Sequence, residues 1–191
     1  MKIGLFFGSF NPIHTGHLII ANVMVETTDL DKIWFIVSPQ NPFKPSKGLL
    51  HEFDRFDMVQ AAINDNYKFE VSDFEFNLPK PSYTIHTLVH LSEKHPDKEF
   101  KVIVGEDNLE RFVHWKNYEQ ILENYGLYVY PRPNAQPSPL KTHPNVRMVE
   151  APLLEISATF IRNIIRKGQS VRYLVPDAVE ERIKAKKFYQ Q

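Results

Sequence analysis

The sequence predicts an α/β fold, a doubly wound parallel sheet that ends in a small helical extension. Short apolar runs alternate along the chain with longer stretches of helical periodicity, and this alternation is typical of right-handed strand–helix–strand units. The apolar runs are continuous, as expected for strands that are buried on both faces of a parallel sheet. A length of 191 residues suits one compact domain.

The apolar runs and the helical patterns give the order of the elements. The strongest strand candidates are Ile3 to Phe7, Lys32 to Val37, Lys101 to Val104 and Leu127 to Tyr130, with weaker ones at Phe69 to Val71 and Val146 to Val149. The predicted helices are Thr15 to Thr27, Glu52 to Asn64, Thr84 to Lys94, Tyr118 to Asn124, Ala158 to Arg166 and Asp177 to Lys187. The proline-rich stretch 131–144 is predicted to be a loop. We therefore expect an α/β core at 1–152 and a helical extension of the same domain at 153–191.

Composition excludes several classes of partner and site. The 23 basic and 23 acidic residues cancel, so no global positive field favours a nucleic acid or an anionic membrane as a partner. The chain has no cysteine, which excludes disulfides and thiolate metal sites and fits a reducing compartment. The apolar run at the amino end is too short for a signal peptide or a membrane span. We expect a cytoplasmic protein, and the sequence leaves its oligomeric state open, a homodimer being compatible with it.

The first predicted strand leads into a loop that is suited to binding phosphate. Gly8 and Gly16 permit close approach of the backbone, and the helix that follows offers free N–H groups and the positive end of its dipole. His14 and His17 are three residues apart, so both imidazoles can face one side of the first helical turn. Two donors at this position could hold a polyphosphate while negative charge develops on it.

Other interpretations of these histidines are weaker. A single histidine here would most often cap or pack the turn, but a pair at this spacing beside two glycines favours a binding role. A zinc site lacks a third ligand of suitable type nearby in sequence. The loop also lacks the three-glycine spacing of a dinucleotide fingerprint.

A second anion site is predicted near the other end of the chain. Ser157 is a good N-cap for the helix at Ala158 to Arg166, and the first N–H groups of that helix point outward. Thr159 adds a hydroxyl and Arg162 adds a guanidinium. Taken alone, an ordinary capped amphipathic helix would explain this segment equally well.

Both segments resemble motifs of one superfamily. The loop reads Gly-Ser-Phe-Asn-Pro-Ile-His-Thr-Gly-His, which resembles the signature of the nucleotidyltransferases named for their His-x-Gly-His box, enzymes with a Rossmann-like fold. The helix start is similar to their Ile-Ser-Ser-Thr-x-Ile-Arg motif, with Ala158 in place of the second serine. The resemblance implies that ATP is bound by Gly8, Ser9, Phe10, His14, Gly16, His17, Ser157, Thr159 and Arg162.

The middle of the chain resembles the nicotinate mononucleotide adenylyltransferases within that superfamily. Pro39 to Lys44 is similar to their Pro-Pro-His-Lys loop, with Phe43 in the place of histidine, and Arg55 with Met58 resembles their Arg-x-x-Met. Ser82-Tyr83-Thr84 and the Gly105-to-Asp107 turn also match, and Trp115 can stack on a pyridine ring. Ser82 is expected to cap the helix that follows, whose first N–H groups, including that of Thr84, could receive a carboxylate. The acceptor residues implied are Lys44, Ser82, Tyr83, Thr84, Gly105, Asp107, Trp115 and Arg132. Without the resemblance, Lys44 and Arg55 would be interpreted as solvated surface cations.

The resemblance implies adenylyl transfer from ATP to nicotinate mononucleotide, with release of pyrophosphate. His14, His17, Lys44 and Arg162 are the implied catalytic residues, and Mg²⁺ is expected to arrive with ATP because carboxylate ligands are scarce. Nicotinamide mononucleotide, phosphopantetheine and glycerol phosphate are alternative acceptors, of which Ser82 to Thr84 and Trp115 disfavour the last two. A nucleotide sensor without turnover is the alternative outside enzymes, and an RNA-binding protein is disfavoured by the balanced charge.

Overall fold

A computed structural model describes residues 1–40 and 48–190. Within them, six parallel strands form one sheet in the order β3-β2-β1-β4-β5-β6, the order of the doubly wound fold. The strands are β1 Lys2–Gly8, β2 Lys32–Val37, β3 Phe69–Ser72, β4 Glu99–Gly105, β5 Leu127–Tyr130 and β6 Val146–Met148. The predicted fold class is thereby confirmed, including the two strands with the weaker signals.

Helices connect the strands and close the chain. They are α1 Thr15–Thr27, α2 Glu52–Ile63, α3 Thr84–Lys94, α4 Glu106–Leu109, α5 Tyr118–Asn124, α6 Ala158–Arg166 and α7 Asp177–Ala185. The helix α4 was not predicted, because four residues are too few to show a helical period. The proline-rich stretch 131–144 is irregular except for one 3₁₀ turn at Pro139–Thr142. Among the described residues, no helix combines the length and apolar character needed to span a bilayer.

The strands are buried on both faces, which explains their continuous apolar sequences. In β2, Ile33 and Phe35 pack into one hydrophobic cluster, while Trp34 and Ile36 pack into a second. Successive side chains of a strand point to opposite faces, so the two clusters form the two sides of the sheet. Trp34 is therefore a core residue, with only 9% of it exposed.

The carboxyl-terminal helices share the core of the sheet. Ile161 of α6 and Ile183 of α7 belong to the same buried cluster as the α1 residue Met24. The α7 helix is also tied to α2 by ion pairs, in which Arg182 and Lys186 each lie 2.8 Å from an aspartate of α2. This packing agrees with the prediction that the helical extension at 153–191 belongs to the same domain as the core. The boundary between residues 152 and 153 stays a prediction.

The strand order positions the loops that carry the candidate site. β1 lies between β2 and β4, and the connections on its two sides run in opposite directions along the sheet. Ligands of such sheets bind at this switch point, beyond the carboxyl ends of the strands. Gly8 ends β1 and Gly105 ends β4, so the two predicted motif loops start beside each other.

Candidate active site

A cavity of about 480 Å³ opens at the switch point of the sheet. Its walls come from the loop after β1, the first turns of α1 and α6, and the segments after β4 and β5. All nine residues predicted to bind ATP line it: Gly8, Ser9, Phe10, His14, Gly16, His17, Ser157, Thr159 and Arg162. The fold thus brings together two motifs that are about 140 residues apart in the sequence.

Two glycines allow aromatic rings to pack against the backbone of the first loop. Phe10 is buried and has a φ of 45°, a left-handed conformation that is uncommon for a residue other than glycine. A Cβ on Gly8 would lie 2.7 Å from the Phe10 ring, and a Cβ on Gly16 would lie 3.1 Å from Nδ1 of His14. A side chain at residue 8 would therefore displace the Phe10 ring, and one at residue 16 would press on the His14 ring.

The two histidines form a stacked pair at the start of α1. Their ring centroids are 3.7 Å apart with 24° between the planes, and the backbone N–H of His14 donates to Nδ1 of His17 at 3.2 Å. An Nδ1 that accepts a hydrogen bond carries no proton, so the neutral His17 ring holds its proton on Nε2. The backbone thus fixes which nitrogen of the neutral His17 ring carries the proton, and both histidines line the cavity.

His14 is uncharged at neutral pH. Only 5% of it is exposed, and its Nδ1 is buried without a hydrogen-bond partner in the part of the chain that the structure describes. Burial, together with the positive charge of Arg132, lowers the pKa of His14 to about 4. His14 can thus serve this site as a neutral hydrogen-bonding group that carries no charge of its own.

The start of α6 supplies the second anion-binding group. The Ser157 hydroxyl accepts a hydrogen bond from the Phe160 N–H at 3.2 Å, so Ser157 is the N-cap that the sequence predicts. The remaining N–H groups of the first turn, those of Ala158 and Thr159, belong to residues that line the cavity. Arg162 donates to the Asn11 carbonyl at 2.7 Å and to the Thr159 hydroxyl at 3.1 Å. Arg162 therefore connects α6 directly to the loop after β1.

Two residues predicted to bind the acceptor line this same cavity. Asp107 and Arg132 face each other, with the guanidinium Nε 3.7 Å from the carboxylate, and both lie on the wall of the larger cavity. Neither of them lines the second, smaller cavity, which is described next. Arg132 also lowers the pKa of His14, which associates it with the histidine pair.

A second cavity of about 150 Å³ adjoins the first. The two share wall residues, among them Gly8, Ser9, Asn108 and Tyr130, so a ligand in one would border a ligand in the other. Five of the residues predicted to bind the acceptor line the second cavity: Ser82, Tyr83, Thr84, Gly105 and Trp115.

The start of α3 differs from the prediction. We expected Ser82 to cap this helix, but its N-cap is Tyr83, and no side chain caps the helix. The Ser82 hydroxyl is instead buried without a hydrogen-bond partner among the described residues. The cap prediction was therefore wrong by one residue, and the consequence is an unpaired hydroxyl at the wall of the smaller cavity.

Several cavity residues were not predicted from the sequence. Glu75 and Lys116 line the smaller cavity, Asn11 lines the larger one, and Asn108 and Tyr130 line both. Asn11 lies inside the recognised loop motif and could have been singled out there. A charged residue between two phenylalanines, Phe74-Glu75-Phe76, was a signal for a buried carboxylate.

The interpretation of Arg55 as a solvated surface cation was wrong. Arg55 is fully buried in α2, and its guanidinium donates to four backbone carbonyls. Two of these acceptors, on Ser9 and Ser38, directly follow the ends of β1 and β2. Arg55 therefore ties together the loops that border both cavities. Lys44 and Phe43 lie outside the described residues.

The described residues contain no group of three or more histidine, aspartate or glutamate side chains that could hold a metal ion. The larger cavity does present hydrogen-bond donors to phosphate oxygens, from the histidine pair, the start of α6 and Arg162. Its donor chemistry therefore fits a nucleotide that brings a divalent cation on its own phosphate oxygens.

Comparisons with known proteins agree with this arrangement. The family Cytidylyltransferase-like matches residues 5–164. A relative from Cytophaga hutchinsonii, named "Probable nicotinate-nucleotide adenylyltransferase", is 65% identical over 189 residues, covering 99% of this chain and 98% of that protein. A relative of the same name from Flavobacterium johnsoniae is 52% identical, and the whole of both chains is covered.

Solved structures share the fold. The Plasmodium falciparum nicotinic acid mononucleotide adenylyltransferase complexed with NaAD superposes with a TM-score of 0.83 over 98% of this chain and 97% of that one. At 20% identity this likeness speaks for the fold alone. The sequence matches, by contrast, extend along the full chain at high identity. This chain belongs to the cytidylyltransferase-like family and, within it, to the nicotinate-nucleotide adenylyltransferases.

Proposed function

We propose that this protein transfers the adenylyl group of ATP to nicotinate mononucleotide, giving nicotinate adenine dinucleotide and pyrophosphate in NAD biosynthesis. The observation that carries the proposal is the pair of adjoining cavities. The larger one has phosphate-binding groups from two helix starts, and the smaller one has a helix start beside an aromatic side chain. A triphosphate and a phosphorylated pyridine nucleotide match these two chemistries, and the family membership agrees.

The reaction is an in-line displacement at phosphorus. A phosphate oxygen of the acceptor attacks the α-phosphorus of ATP, the new P–O bond forms, and the bond from the α-phosphorus to the bridging oxygen breaks. That oxygen leaves with the β- and γ-phosphates as pyrophosphate. Such a reaction depends mainly on alignment and on neutralising charge, so it requires no covalent enzyme intermediate.

The His17 Nε2–H is proposed to donate to the phosphate under attack, since its Nδ1 is already occupied by the His14 N–H. The N–H groups of Ala158 and Thr159, with the Arg162 guanidinium, are proposed to hold the leaving pyrophosphate. The Arg162 contacts with Asn11 and Thr159 position its guanidinium at the cavity wall. We also propose a contribution of Lys44 to the phosphates, as the family resemblance implies.

The phosphate oxygens of ATP, rather than protein carboxylates, would hold a divalent cation, proposed to be Mg²⁺, which would supply charge neutralisation there. On the acceptor side, the N–H groups at the start of α3 are proposed to receive the pyridine carboxylate, and Trp115 to stack on the ring. A cytoplasmic location is part of the proposal, in keeping with a cysteine-free chain that uses ATP.

The test is pyrophosphate release from ATP with a panel of phosphorylated acceptors: nicotinate mononucleotide, nicotinamide mononucleotide, phosphopantetheine and glycerol phosphate. We expect turnover with the first and identification of nicotinate adenine dinucleotide as the product. Binding of ATP without pyrophosphate release for any acceptor would instead make the protein a nucleotide sensor. Turnover confined to phosphopantetheine or glycerol phosphate would assign it a different acceptor.

A further inference from the structure

Glu75 is a buried carboxyl group on the wall of the smaller cavity. Only 1% of it is exposed, although it belongs to the short 3₁₀ helix Phe74–Asn77 at the edge of the sheet. Carboxylates are almost never fully buried unless they are paired, so this position requires a physical explanation.

The hydrogen bonds of Glu75 are incomplete. Its Oε1 accepts from the Thr87 hydroxyl of α3 at 2.7 Å, while its Oε2 is buried without a hydrogen-bond partner. The Ser82 hydroxyl, which lines the same cavity, is likewise buried and unpaired. Within residues 1–40 and 48–190, two unsatisfied polar atoms thus line one small cavity beside the start of α3. Unpaired buried polar atoms are costly, and their presence here indicates a ligand that completes them.

No cation is paired with Glu75 in the part of the chain described by the structure. The Lys116 ammonium lines the same cavity but lies over the Tyr83 ring, 4.8 Å from its centroid. Arg55 of α2 donates its guanidinium to backbone carbonyls, including that of Ser38. His86 of α3 and Asp73 beside the 3₁₀ helix are exposed. An ionised Glu75 would therefore bring an unneutralised negative charge into the cavity.

Burial accordingly raises the pKa of Glu75, and the hydrogen bond from the Thr87 hydroxyl offsets only part of that effect. A protonated carboxyl group has one O–H donor, whereas an ionised one can only accept. A carboxylate ligand nearby would favour the protonated form further, because two like charges in one site oppose each other.

We propose that Glu75 is a specificity-determining residue of the acceptor site. It takes up a proton when nicotinate mononucleotide, the acid acceptor, binds. Together with Ser82, it then donates a hydrogen bond to the pyridine carboxylate. The inference rests on the proposed function, since it assigns a ligand group to the acceptor cavity. The balance is simple: one proton moves from solvent to Oε2 of Glu75, and the ligand carboxylate keeps its negative charge. No covalent bond is made or broken.

The proposal predicts a pH dependence that distinguishes the two pyridine nucleotides. Binding that takes up one proton weakens by about tenfold for each pH unit above the pKa of the free group. The KM of nicotinate mononucleotide should therefore rise as the pH increases above the pKa of the free Glu75 carboxyl group, which burial raises. The KM of nicotinamide mononucleotide, the amide acceptor, should not rise in the same way, because this molecule lacks the carboxylate. Both acceptors carry the same 5′-phosphate, so titration of that group cancels in the comparison.

The decisive variant is Glu75→Gln, which keeps a donor but cannot ionise. We expect its KM for nicotinate mononucleotide to lose this rise with pH, and to be about tenfold below the wild-type value one pH unit above the pKa of the free Glu75 carboxyl group. Asp73→Asn is the matched control, because Asp73 is an exposed carboxylate immediately before the same 3₁₀ helix, and its pH profile should equal that of the wild type. A Glu75→Gln profile that keeps the wild-type rise with pH overturns the proposal.

A second measurement needs no variant. Calorimetric titration of the wild-type enzyme with nicotinate mononucleotide, in two buffers of different ionisation enthalpy, counts the protons taken up on binding. Above the pKa of the free Glu75 carboxyl group, we expect uptake approaching one proton for nicotinate mononucleotide, in excess of the value for nicotinamide mononucleotide. Equal uptake for the two acceptors overturns the role of Glu75, even if Glu75→Gln fails to fold. Turnover of nicotinate mononucleotide would still support the proposed function in that case. A wrong role for Glu75 can therefore be distinguished from a wrong proposed function.

Discussion

The imidazole rings of His14 and His17 stack 3.7 Å apart, and the His14 backbone N–H donates to Nδ1 of His17. This relationship explains why a spacing of three residues matters at the start of α1. The backbone fixes which nitrogen of His17 carries the proton, and stacking fixes the orientation of the ring. A donor that is oriented before the substrate binds needs no reorganisation during the reaction, which is the condition for strong stabilisation of developing charge.

Replacement of His17 by alanine is predicted to remove most of the turnover while the fold is kept. The loss of one well-oriented donor costs about 2.7–4 kcal/mol, or a factor of about 10²–10³ in kcat. Pyrophosphate release under saturating substrates measures the effect, and a thermal melt measures the fold. His90→Ala, at an exposed position of α3, is the control and should leave both unchanged. Near-normal kcat in His17→Ala would show that its imidazole is not a transition-state donor.

His14 is predicted to make the unfolding free energy depend on pH between about 6.5 and 4. Its pKa is lowered to about 4 in the folded protein, so the unfolded chain binds the proton first as the pH falls. The stabilising contribution of the neutral ring is therefore complete above pH 6.5 and is lost as the pH falls to about 4. The difference corresponds to about 3 kcal/mol.

Urea unfolding at pH 7.5, 5.5 and 4.5 tests this prediction. Wild type should lose more unfolding free energy over this range than His14→Gln, which has no group to titrate at this position. Parallel losses in the two proteins would mean that the ring is accessible to protons in the folded state.

Arg162→Ala is predicted to weaken ATP and pyrophosphate together, and nicotinate mononucleotide much less. Its guanidinium lies at the start of α6 and contacts the Asn11 carbonyl, on the wall of the larger cavity. Inhibition by inorganic pyrophosphate and the KM of each substrate provide the measurements. Arg166→Ala is the matched control, one turn further along α6 at an exposed position outside both cavities. Equal weakening of ATP and the acceptor would instead point to a disordered helix, which circular dichroism would detect.

The sequence predicted the sheet well, and it identified two motifs that the fold brings to one cavity, because both depend on local patterns. Continuous apolar runs identified the six strands, and two contiguous motifs identified residues that the fold brings to one cavity. Ser157 was recognised as an N-cap because a single serine before a helix is sufficient to predict one. The short helix α4 and the true N-cap of α3, Tyr83, were missed since neither leaves such a local signal.

Residues whose role depends on burial were not predictable in this way. Arg55 is an ordinary cation in the sequence, and only the folded chain surrounds it with the carbonyls of Ser9 and Ser38. Glu75 likewise becomes unusual only because the turn after β3 places it against Thr87 of α3. Asp107 and Arg132 were assigned to the acceptor from short motifs, which do not specify the cavity that a side chain faces.

Nicotinate mononucleotide is predicted to be preferred over nicotinamide mononucleotide because of the N–H groups at the start of α3. Backbone N–H groups are donors only, so they suit the two oxygens of a carboxylate. An amide would leave one donor facing its NH₂ group, at a cost of about 1–3 kcal/mol when buried, or roughly a factor of ten to a hundred. The ratio of kcat/KM for nicotinate and nicotinamide mononucleotide measures the preference. Trp115→Ala should weaken both acceptors alike, because ring stacking does not distinguish the substituent.

Thr84→Pro isolates the contribution of a single N–H. Thr84 is the first residue of α3, where proline fits because the N–H there has no partner within the helix. Tyr83 already has the extended conformation that a residue before proline requires, with φ −111° and ψ 130°. The variant should therefore fold while the preference for the acid narrows. Thr84→Ala, which loses the side chain but keeps the N–H, should retain the preference. If wild type used both acceptors equally, or if the two variants behaved alike, the start of α3 would not be the group that recognises the carboxylate.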